Sequence, residues 1–459
     1  MLIATLSCYL VALLGIGLWA RRRVDDSADF HLAGRRMGPV IAALSASTSS
    51  SSAWTLLGVS GAAWAWGLQA VWLIPATFLG FALNWFFVAP RLQRAARASG
   101  ALTLVEFLAT GTNRQQAAIR IFGSLIILFC FTFYVAAQFQ AAGTAIATAL
   151  PVTASTALVA GAAVVIAYVF LGGFWAASVT DALQGLMMLA VALVLPAVAL
   201  IAVGGPAALG AGLAALEEPG LLRLVDQPGL LLAMVFVAGL FGIGLGYPGQ
   251  PHVVNRFMAL EREDQVPRAR AIALVWALLI FSGMVLLGWC GRVLMPGLED
   301  AEAVLLSLGT ELMPAAVAGV VTGGVLAAIM STADSQLLVA GSAASHDLSR
   351  GRFSLLLDRG AILLVGLAAV VLALQFPATI FDRVLFAWQA LGNAFGPLLL
   401  VLLLGRAVSS RIRLGAMLTG FGLTVTLSFL PDAPGNAAER LLPFFAALAL
   451  AWAGSRRVG

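Results

Sequence analysis

The sequence predicts an all-helical polytopic membrane protein, from its composition, the length of its apolar runs and the placement of its arginines. Of the 459 residues, 61% are hydrophobic and only 10% are charged, whereas about a quarter of the residues of a soluble protein are charged. Apolar runs of about 20 residues, the length that crosses a bilayer as a helix, recur along the whole chain. We therefore expect a single transmembrane domain over residues 1–459.

The apolar runs predict about thirteen transmembrane helices, which we call spans 1 to 13. Short loops join them, so we expect no separate soluble domain. The predicted limits of spans 1 to 13 are 2–20, 38–61, 66–89, 118–148, 152–172, 176–203, 229–249, 270–294, 313–345, 358–376, 383–405, 413–430 and 440–456.

Arginine placement supports this number of spans and predicts their orientation. Every basic residue is Arg, and 22 of the 26 fall in alternate loops. Because Arg-rich loops stay in the cytoplasm, we expect a multi-pass membrane protein with its N-terminus outside and its C-terminus inside. Three arginines follow span 1 rather than precede it, so this helix is expected to be retained and not cleaved as a signal peptide. The Arg-rich loops are 21–36, 91–120, 256–270, 350–359, 406–413 and 456–457.

Composition also argues against several function classes. The three cysteines lie inside apolar runs and the three histidines are scattered, so neither a disulfide framework nor a His-based metal site is predicted. The sequence has no catalytic Ser/His constellation and no phosphate-binding loop, so we expect neither an enzyme nor a cofactor. The arginines lie in loops between spans, so we expect no nucleic-acid partner.

Two spans are predicted to be broken inside the membrane. Seven of the ten residues at 45–54 in span 2 carry hydroxyls, and residues 241–251 at the end of span 7 are dense in Gly and Pro. A loosened backbone is tolerated in a membrane only where it is packed in protein or lines a cavity. The serines of span 2 could instead form a helix-packing face.

Spans 2 and 7 are five apart, so they run in opposite directions. Residues 38–203 and 229–405 would then form two inverted repeats of five helices, each opening with a broken helix. Residues 1–37 would add an N-terminal helix and loop, and residues 413–459 would add the last helices. This arrangement is typical of transporters with a site at the bilayer midplane.

Two carboxylates stand out deep inside spans, where ionisable groups are costly and mark functional sites. Asp181 lies near the start of span 6, where it could also cap the helix, and Asp334 lies inside span 9 with apolar helix on both sides. Asp334 flanks a helical face of carbonyl and hydroxyl oxygens, and such ligands suit a small hard cation. These hydroxyls could instead bond back to their own helix. The face consists of Ala328, Ser331, Thr332 and Ser335.

Glu106 is a carboxylate that we assign to structure. It follows Thr103 by three residues, the spacing of a capping box. We therefore expect a short cytoplasmic helix that begins beside Thr103.

Short stretches along spans 2 to 11 carry a resemblance to a known family. Together they resemble the sodium:solute symporter family, and within it most closely the sodium/proline symporters. They are Ala43-Leu-Ser-Ala46 followed by Trp54, Phe131-Thr-Phe-Tyr134, Gly172-Gly173-Phe with Thr180-Asp181, Gly244-Leu-Gly-Tyr247-Pro-Gly-Gln-Pro251-His252 with Arg256-Phe-Met, Ala327-Ala-Ile-Met-Ser331-Thr332 with Gln336-Leu-Leu, and Ala394-Phe-Gly-Pro397.

The resemblance implies a LeuT-like core of inverted repeats in a symporter of a bacterial inner membrane. Such a protein couples inward sodium movement to uptake of a small organic solute, an amino acid such as proline or a related small carboxylate. By similarity, oxygens of spans 2 and 9 would bind the main sodium ion, some members hold a second cation, and the solute lies between the broken helices and span 4. The corresponding residues are Thr48, Ser51, Ala328, Ser331 and Thr332 for the main sodium site, Asp181, Asp334 and Ser335 with Ser331 for the second cation, and Ser52, Ala53, Tyr134 and Tyr247 for the solute.

The chain departs from the sodium/proline symporters at three positions. Those carriers have Asp where this chain has Ser50 and Trp where it has Ile243, and they lack a carboxylate at Asp334. A carboxylate that balances the cation is therefore expected from Asp334 or Asp181.

Two other functions stay open beside the sodium symporter. A proton-coupled symporter of the same fold would use Asp181 or Asp334 as its titrating group. A solute-sensing membrane protein usually carries a signalling domain after its spans, whereas this chain ends at Gly459 directly after span 13. We expect sodium, a small organic solute and the lipid bilayer as partners, and no obligate protein partner.

Overall fold

The computed structural model describes residues 15, 32–111, 115–149, 151–172, 174–348, 355–376, 379–430 and 433–457. The predicted span 1, residues 2–20, lies outside these ranges except for Gly15. Nearly all of the described chain is helical. The helices are α1 Pro39–Ser50, α2 Val59–Trp66, α3 Leu73–Ala82, α4 Ala89–Ser99, α5 Leu104–Ala109, α6 Gln116–Ala149, α7 Ala154–Gly172, α8 Phe174–Val203, α9 Pro206–Ala215, α10 Leu230–Leu245, α11 Pro251–Ala259, α12 Val266–Leu294, α13 Val304–Leu312, α14 Ala315–Ser342, α15 Leu355–Gln375, α16 Ile380–Leu403, α17 Ser410–Leu427 and α18 Ala437–Ala453.

Short turns and one pair of strands complete the described secondary structure. The strands β1 Arg406–Val408 and β2 Ser455–Arg457 pair in antiparallel fashion, which departs from the all-helical prediction. The 3₁₀ or π-helical turns are Ala33–Arg35, Trp54–Gly58, Gly67–Trp72, Leu83–Val88, Tyr247–Gly249, Glu263–Gln265, Ala301–Ala303, Ala343–Asp347 and Pro434–Asn436.

Eight helical segments of the described chain are long and apolar enough to cross a membrane. This confirms a polytopic helical membrane protein, while the number thirteen stays a prediction. Helices α7, α17 and α18 also cover three further predicted spans. The eight segments are Trp54–Ser99, Gln116–Thr148, Phe174–Val203, Leu230–Gly249, Glu263–Leu294, Ala315–Asp347, Leu356–Gln375 and Ile380–Leu403.

The break predicted in span 2 is confirmed. Helix α1 begins at Pro39, whose missing N–H is harmless at a helix start, and ends at Ser50, after which Ser51 leaves the helical conformation with φ −118° and ψ 76°. The chain becomes helical again in the π-helical turn that begins at Trp54. Every residue from 42 to 63 is buried, so the freed backbone is enclosed by protein, as a membrane requires.

The break predicted in span 7 is also present, but the predicted end of this span at residue 249 is wrong. Helix α10 ends at Leu245, a 3₁₀ turn follows, and Gln250 is extended with φ −90° and ψ 103°. The chain then continues as α11, which begins at Pro251 and ends at Ala259. The segment assigned to a cytoplasmic loop from residue 256 is therefore partly the second half of the broken helix.

Both broken helices lie against other long helices. Helix α1 contacts α8, α11, α12 and α14, and α16 packs along the 3₁₀ turn of span 7. That packing needs glycine, because a Cβ on Gly249 would lie 2.6 Å from the Cα of Gly392 in α16. The two backbones therefore touch directly at the break.

Candidate ion and solute site

A buried ion pair stands at the centre of the site. Asp181 of α8 is 0% exposed, and its Oδ2 accepts hydrogen bonds from Ser45 Oγ at 2.7 Å and Ser49 Oγ at 3.2 Å. Arg256 of α11 is 1% exposed, and its Nη2 donates to the same oxygen at 3.0 Å. Asp181 therefore joins α8 to both broken helices rather than only capping a helix start.

The expectation that Arg256 lies in a cytoplasmic loop is wrong. Helix α11 carries the side chain into the protein, where it also donates from Nε to Ser45 Oγ at 3.0 Å. The sequence signal that could have placed it is Pro251, since Pro is favoured at the first position of a helix. A helix that restarts there keeps Arg256 within the membrane domain.

Asp334 joins this cluster indirectly. It lies in α14 at 0% exposure, and its Oδ1 accepts a hydrogen bond from Ser335 Oγ at 3.1 Å. Ser335 Oγ in turn accepts from Arg256 Nη2 at 2.5 Å. Asp334 Oδ2 and Asp181 Oδ1 have no hydrogen-bond partner within the described residues. With both carboxylates ionised, the cluster of Asp181, Arg256 and Asp334 carries one net negative charge.

Of the five residues expected at the main sodium site, Thr332 has a hydrogen bond that joins α14 to α1, and its partner is Ser49 rather than Thr48 or Ser51. Thr332 Oγ1 donates to Ser49 O at 3.4 Å, and Ser49 Oγ lies 3.1 Å from Ser335 Oγ. Ser331 Oγ bonds back to Ala328 O at 3.0 Å, which is the alternative noted for such hydroxyls.

On the α1 side, the expected ligands lie at the helix end. The Thr48 carbonyl accepts from Ser51 N at 3.0 Å, and Thr48 Oγ1 donates to Leu44 O at 2.7 Å. Ser51 Oγ has no partner within the described part of the chain. The five expected ligands offer only carbonyl and hydroxyl oxygens, which match a small hard cation.

The four expected solute residues lie in or beside the two breaks. Ser52 and Ala53 follow Ser51 in the break of span 2, and the Tyr134 hydroxyl of α6 donates to Ser52 Oγ at 3.3 Å. Tyr247 begins the 3₁₀ turn of span 7. Both tyrosine rings contact the indole of Trp388, with ring centroids 4.6 Å apart for Tyr247 and 6.5 Å apart for Tyr134.

Two residues of this region, Trp388 and Gln138, were not predicted from the sequence. Trp388 of α16 donates from Nε1 to Ile243 O at 3.1 Å, and its only sequence signal is that it precedes the family-like stretch at 394–397. Gln138 of α6 accepts a hydrogen bond from Ala53 N at 3.1 Å. Its signal is the spacing of four from Tyr134, which places both on one face of the helix.

The capping role predicted for Glu106 is confirmed and extended. Glu106 N donates to Thr103 Oγ1 at 3.0 Å, and Glu106 Oε2 accepts from Leu102 N at 2.8 Å. The carboxylate also contacts His346 Nε2 and Arg120 Nη2, each at 3.0 Å. Burial opposes ionisation, but the hydrogen bonds from His346 and Leu102 outweigh it and lower the pKa of Glu106 to about 2.

Two interrupted helices that meet at a buried, oxygen-lined site define this chain as a membrane transporter. A model of the Sodium:solute symporter family matches residues 30–420, which is most of the chain. The chain therefore belongs to the sodium:solute symporter family, as its motifs indicate. It is a sodium-coupled solute symporter and not an enzyme.

Known relatives are bacterial transporters of similar length. The high-affinity proline transporter PutP of Bacillus subtilis (strain 168) is 34% identical over 453 residues, which cover 94% of this chain and 95% of that protein. The sodium/proline symporter of Escherichia coli (strain K12) is 33% identical over 443 residues, covering 92% of this chain and 87% of that protein.

Two solved structures show the same fold. A Na⁺-coupled sialic acid symporter in a substrate-bound outward-open state aligns with TM-score 0.83 at 16% identity, covering 100% of this chain and 99% of that one. MhsT in complex with L-phenylalanine aligns with TM-score 0.50 at 16% identity, covering 90% and 97%. At these identities the likeness concerns the fold alone.

Proposed function

We propose that the solute is proline or a closely related small amino acid, taken up with sodium. The observation that carries the ion part is the hydrogen bond from Thr332 Oγ1 to Ser49 O, which joins the broken helix to α14 among oxygen ligands. The observation that favours proline is that both relatives described above are proline transporters.

The main sodium ion would lie between the end of α1 and the polar face of α14. Its ligands would be the carbonyls of Thr48, Ser51 and Ala328 and the hydroxyls of Ser331 and Thr332. The positive charge offsets the carbonyl dipoles that are freed where α1 ends. Loss of sodium to the cytoplasm would loosen α1 from α14 and release the solute.

The second cation position would lie between Asp334 Oδ2 and Asp181 Oδ1. Arg256 already supplies a positive charge to Asp181. The cluster, which includes Ser335, would therefore need one further positive charge to become neutral. The exchangeable charge is assigned mainly to Asp334, which takes the place of the carboxylate that is absent at Ser50.

The solute would bind at the junction of the two broken helices. Ser52 and Ala53 offer the interrupted backbone of span 2, while Tyr134 and Tyr247 offer aromatic walls and hydroxyls. A pyrrolidine ring is small and apolar enough to pack between such rings, and its charged groups would face the breaks.

The membrane arrangement behind this function has thirteen spans in an inner membrane, with the N-terminus outside and the C-terminus inside. Residues 38–203 and 229–405 would be the inverted repeats, flanked by 1–37 and 413–459. The interruptions near the openings of both repeats and the alternation of Arg-rich loops support this arrangement. No obligate protein partner is needed for it.

The membrane potential supplies enough free energy through sodium entry to accumulate the solute. One positive charge moving inward gains about 2.3 kcal/mol per 100 mV. This corresponds to about a 50-fold concentration ratio of solute at 1.4 kcal/mol per decade.

The test is uptake of labelled proline into proteoliposomes with an imposed sodium gradient, compared with sodium-free vesicles. We expect accumulation only with sodium. Uptake that is independent of sodium and depends on a pH gradient would contradict the proposed sodium coupling. It would favour the proton-coupled symporter. The supporting observation for that symporter is that Asp334 Oδ2 has no hydrogen-bond partner among the described residues.

A further inference from the structure

The side chain of Gln138 is an unexplained polar group beside the break in span 2. Gln138 is 0% exposed, and its Oε1 accepts the hydrogen bond from Ala53 N. Its Nε2 has no hydrogen-bond partner within the described residues. An amide donor that is buried without an acceptor costs free energy, so a ligand that supplies the acceptor would explain this arrangement.

The neighbours of Gln138 indicate where such a ligand would lie. Tyr134 is one helical turn away on the same face of α6, and it reaches Ser52 while Gln138 reaches Ala53. Because the Ala53 N–H requires an acceptor, the oxygen of the carboxamide is fixed on Ala53. The opposite end, which carries two N–H donors, is the unused one.

The first backbone N–H groups of the helix that follows the break already donate hydrogen bonds within the protein, so they are not available to an anion. Ala53 N donates to Gln138, Trp54 N donates to Ser52 Oγ at 3.2 Å, and Thr55 N donates to Ser52 O at 3.0 Å. Helix N-termini normally bind anionic groups through such N–H donors. Here these three are occupied, and the Gln138 amide is an unused donor beside them.

We propose that Gln138 is a specificity-determining residue, whose Nε2 binds the carboxylate of the solute while Oε1 stays on Ala53. This inference rests on the proposed uptake of an amino acid such as proline. It requires the solute to carry a carboxylate or an equivalent acceptor. One planar amide then links solute binding to the first turn of the second half of span 2.

The test compares wild type, Gln138→Met, Gln138→Glu and Gln93→Met in proteoliposomes under one sodium gradient. Labelled proline is the substrate, and prolinamide, in which a neutral amide replaces the carboxylate, is the competitor. Gln93 is the matched control, because it is a buried glutamine whose Nε2 bonds to Leu260 O at 3.4 Å.

Gln138→Met should raise the KM for proline about 10-fold, the loss expected for one hydrogen bond to a charged group, and should reduce the preference for proline over prolinamide. Gln138→Glu keeps an acceptor for Ala53 N but places a carboxylate against the solute, so it should favour prolinamide. Gln93→Met should keep the wild-type preference. The sodium concentration for half-maximal uptake should stay unchanged in all variants.

A wild-type proline-to-prolinamide preference in Gln138→Met would overturn the inference. Sodium-dependent thermal stabilisation, measured without solute, shows that each variant is folded; if Gln138→Met lacks it, Gln138→Asn, which keeps a shorter amide, takes its place with the same expected loss of preference. Wild-type protein without sodium-driven proline uptake would overturn the proposed function first, so the two failures are distinguishable.

Discussion

Arg256 and Asp181 form an ion pair inside the membrane domain, with Nη2 and Oδ2 3.0 Å apart and both side chains buried. Ser45 and Ser49 of α1 hydrogen-bond to the same carboxylate oxygen. Three helices, α1, α8 and α11, therefore meet at one atom. The pair holds the first half of span 2 against the second half of span 7.

Removing the arginine is expected to destabilise the protein more than removing the aspartate. Arg256→Gln leaves Asp181 and Asp334 buried without a cation, and loss of one partner of a buried pair costs about 3–5 kcal/mol. Asp181→Asn still leaves Arg256 linked to Asp334 through Ser335. Thermal unfolding in detergent measures both variants, and equal midpoints for Arg256→Gln and wild type would contradict this account.

The control for that comparison is an ion pair on the surface. Arg262 and Asp264 are 2.7 Å apart but largely exposed. Exposed pairs contribute little because water and salt screen them. Arg262→Gln should therefore leave the unfolding midpoint near that of wild type.

Asp334→Asn is expected to stabilise the protein when sodium is absent, whereas Arg256→Gln destabilises it. Its Oδ2 has no partner within the described chain, and an unpaired buried charge is costly. The variant should therefore unfold at a higher temperature than wild type in sodium-free buffer. It should also gain less stability from added sodium. A sodium response identical to that of wild type would remove Asp334 from the cation site.

Ser331→Ala is expected to raise the sodium concentration needed for half-maximal uptake. The loss of one oxygen ligand that contributes about 1 kcal/mol corresponds to about a 5-fold increase in this sodium concentration. Ser342→Ala is the matched control, since Ser342 lies on the same helix and its hydroxyl bonds back to Val339 O. Sodium titration of proline uptake distinguishes them, and identical sodium dependence in Ser331→Ala and Ser342→Ala would exclude Ser331 as a ligand.

Glu106→Gln is expected to lower the unfolding temperature at pH 7. The pKa of about 2 in the folded protein lies below the ordinary value of 4.5, so the ionised carboxylate stabilises the fold above about pH 4.5. That contribution is lost as the pH falls from 4.5 toward 2, and the difference between wild type and variant should shrink over this range. Glu263→Gln, which breaks an exposed pair with Arg94, is the control and should lower the unfolding temperature at pH 7 far less, because exposed ion pairs contribute little.

The broken helices could be predicted because their signals are local. The hydroxyl run at 45–54 and the Gly-rich stretch at 241–251 weaken the helix at their own positions. A membrane accepts such stretches only inside protein, so their burial followed as well. The chain leaves helical geometry at Ser51 and Gln250, within these two stretches.

The central ion pair could not be predicted because it depends on contacts between distant parts of the chain. Arginines near the ends of spans usually indicate cytoplasmic loops. Pro251 could have placed Arg256 on a helix, but it does not indicate which residue the side chain contacts. Its partner lies 75 residues earlier, at Asp181. Trp388 was missed for the same reason, since helix packing brings it to the break in span 7. The spacing of four from Tyr134 places Gln138 on the face of the predicted solute residue, but it does not indicate the contact with Ala53.

The backbone contact between Gly249 and Gly392 has a mechanical consequence. Neither residue has a side chain that could slide or bend there, and two hydrogen bonds reinforce the contact, from Gln250 Nε2 to Trp388 O at 2.8 Å and from Trp388 Nε1 to Ile243 O at 3.1 Å. We therefore expect the turn of span 7 and helix α16 to move together as one rigid unit. A rotation that opens the solute site to one side of the membrane would then carry both, with its hinges at other positions.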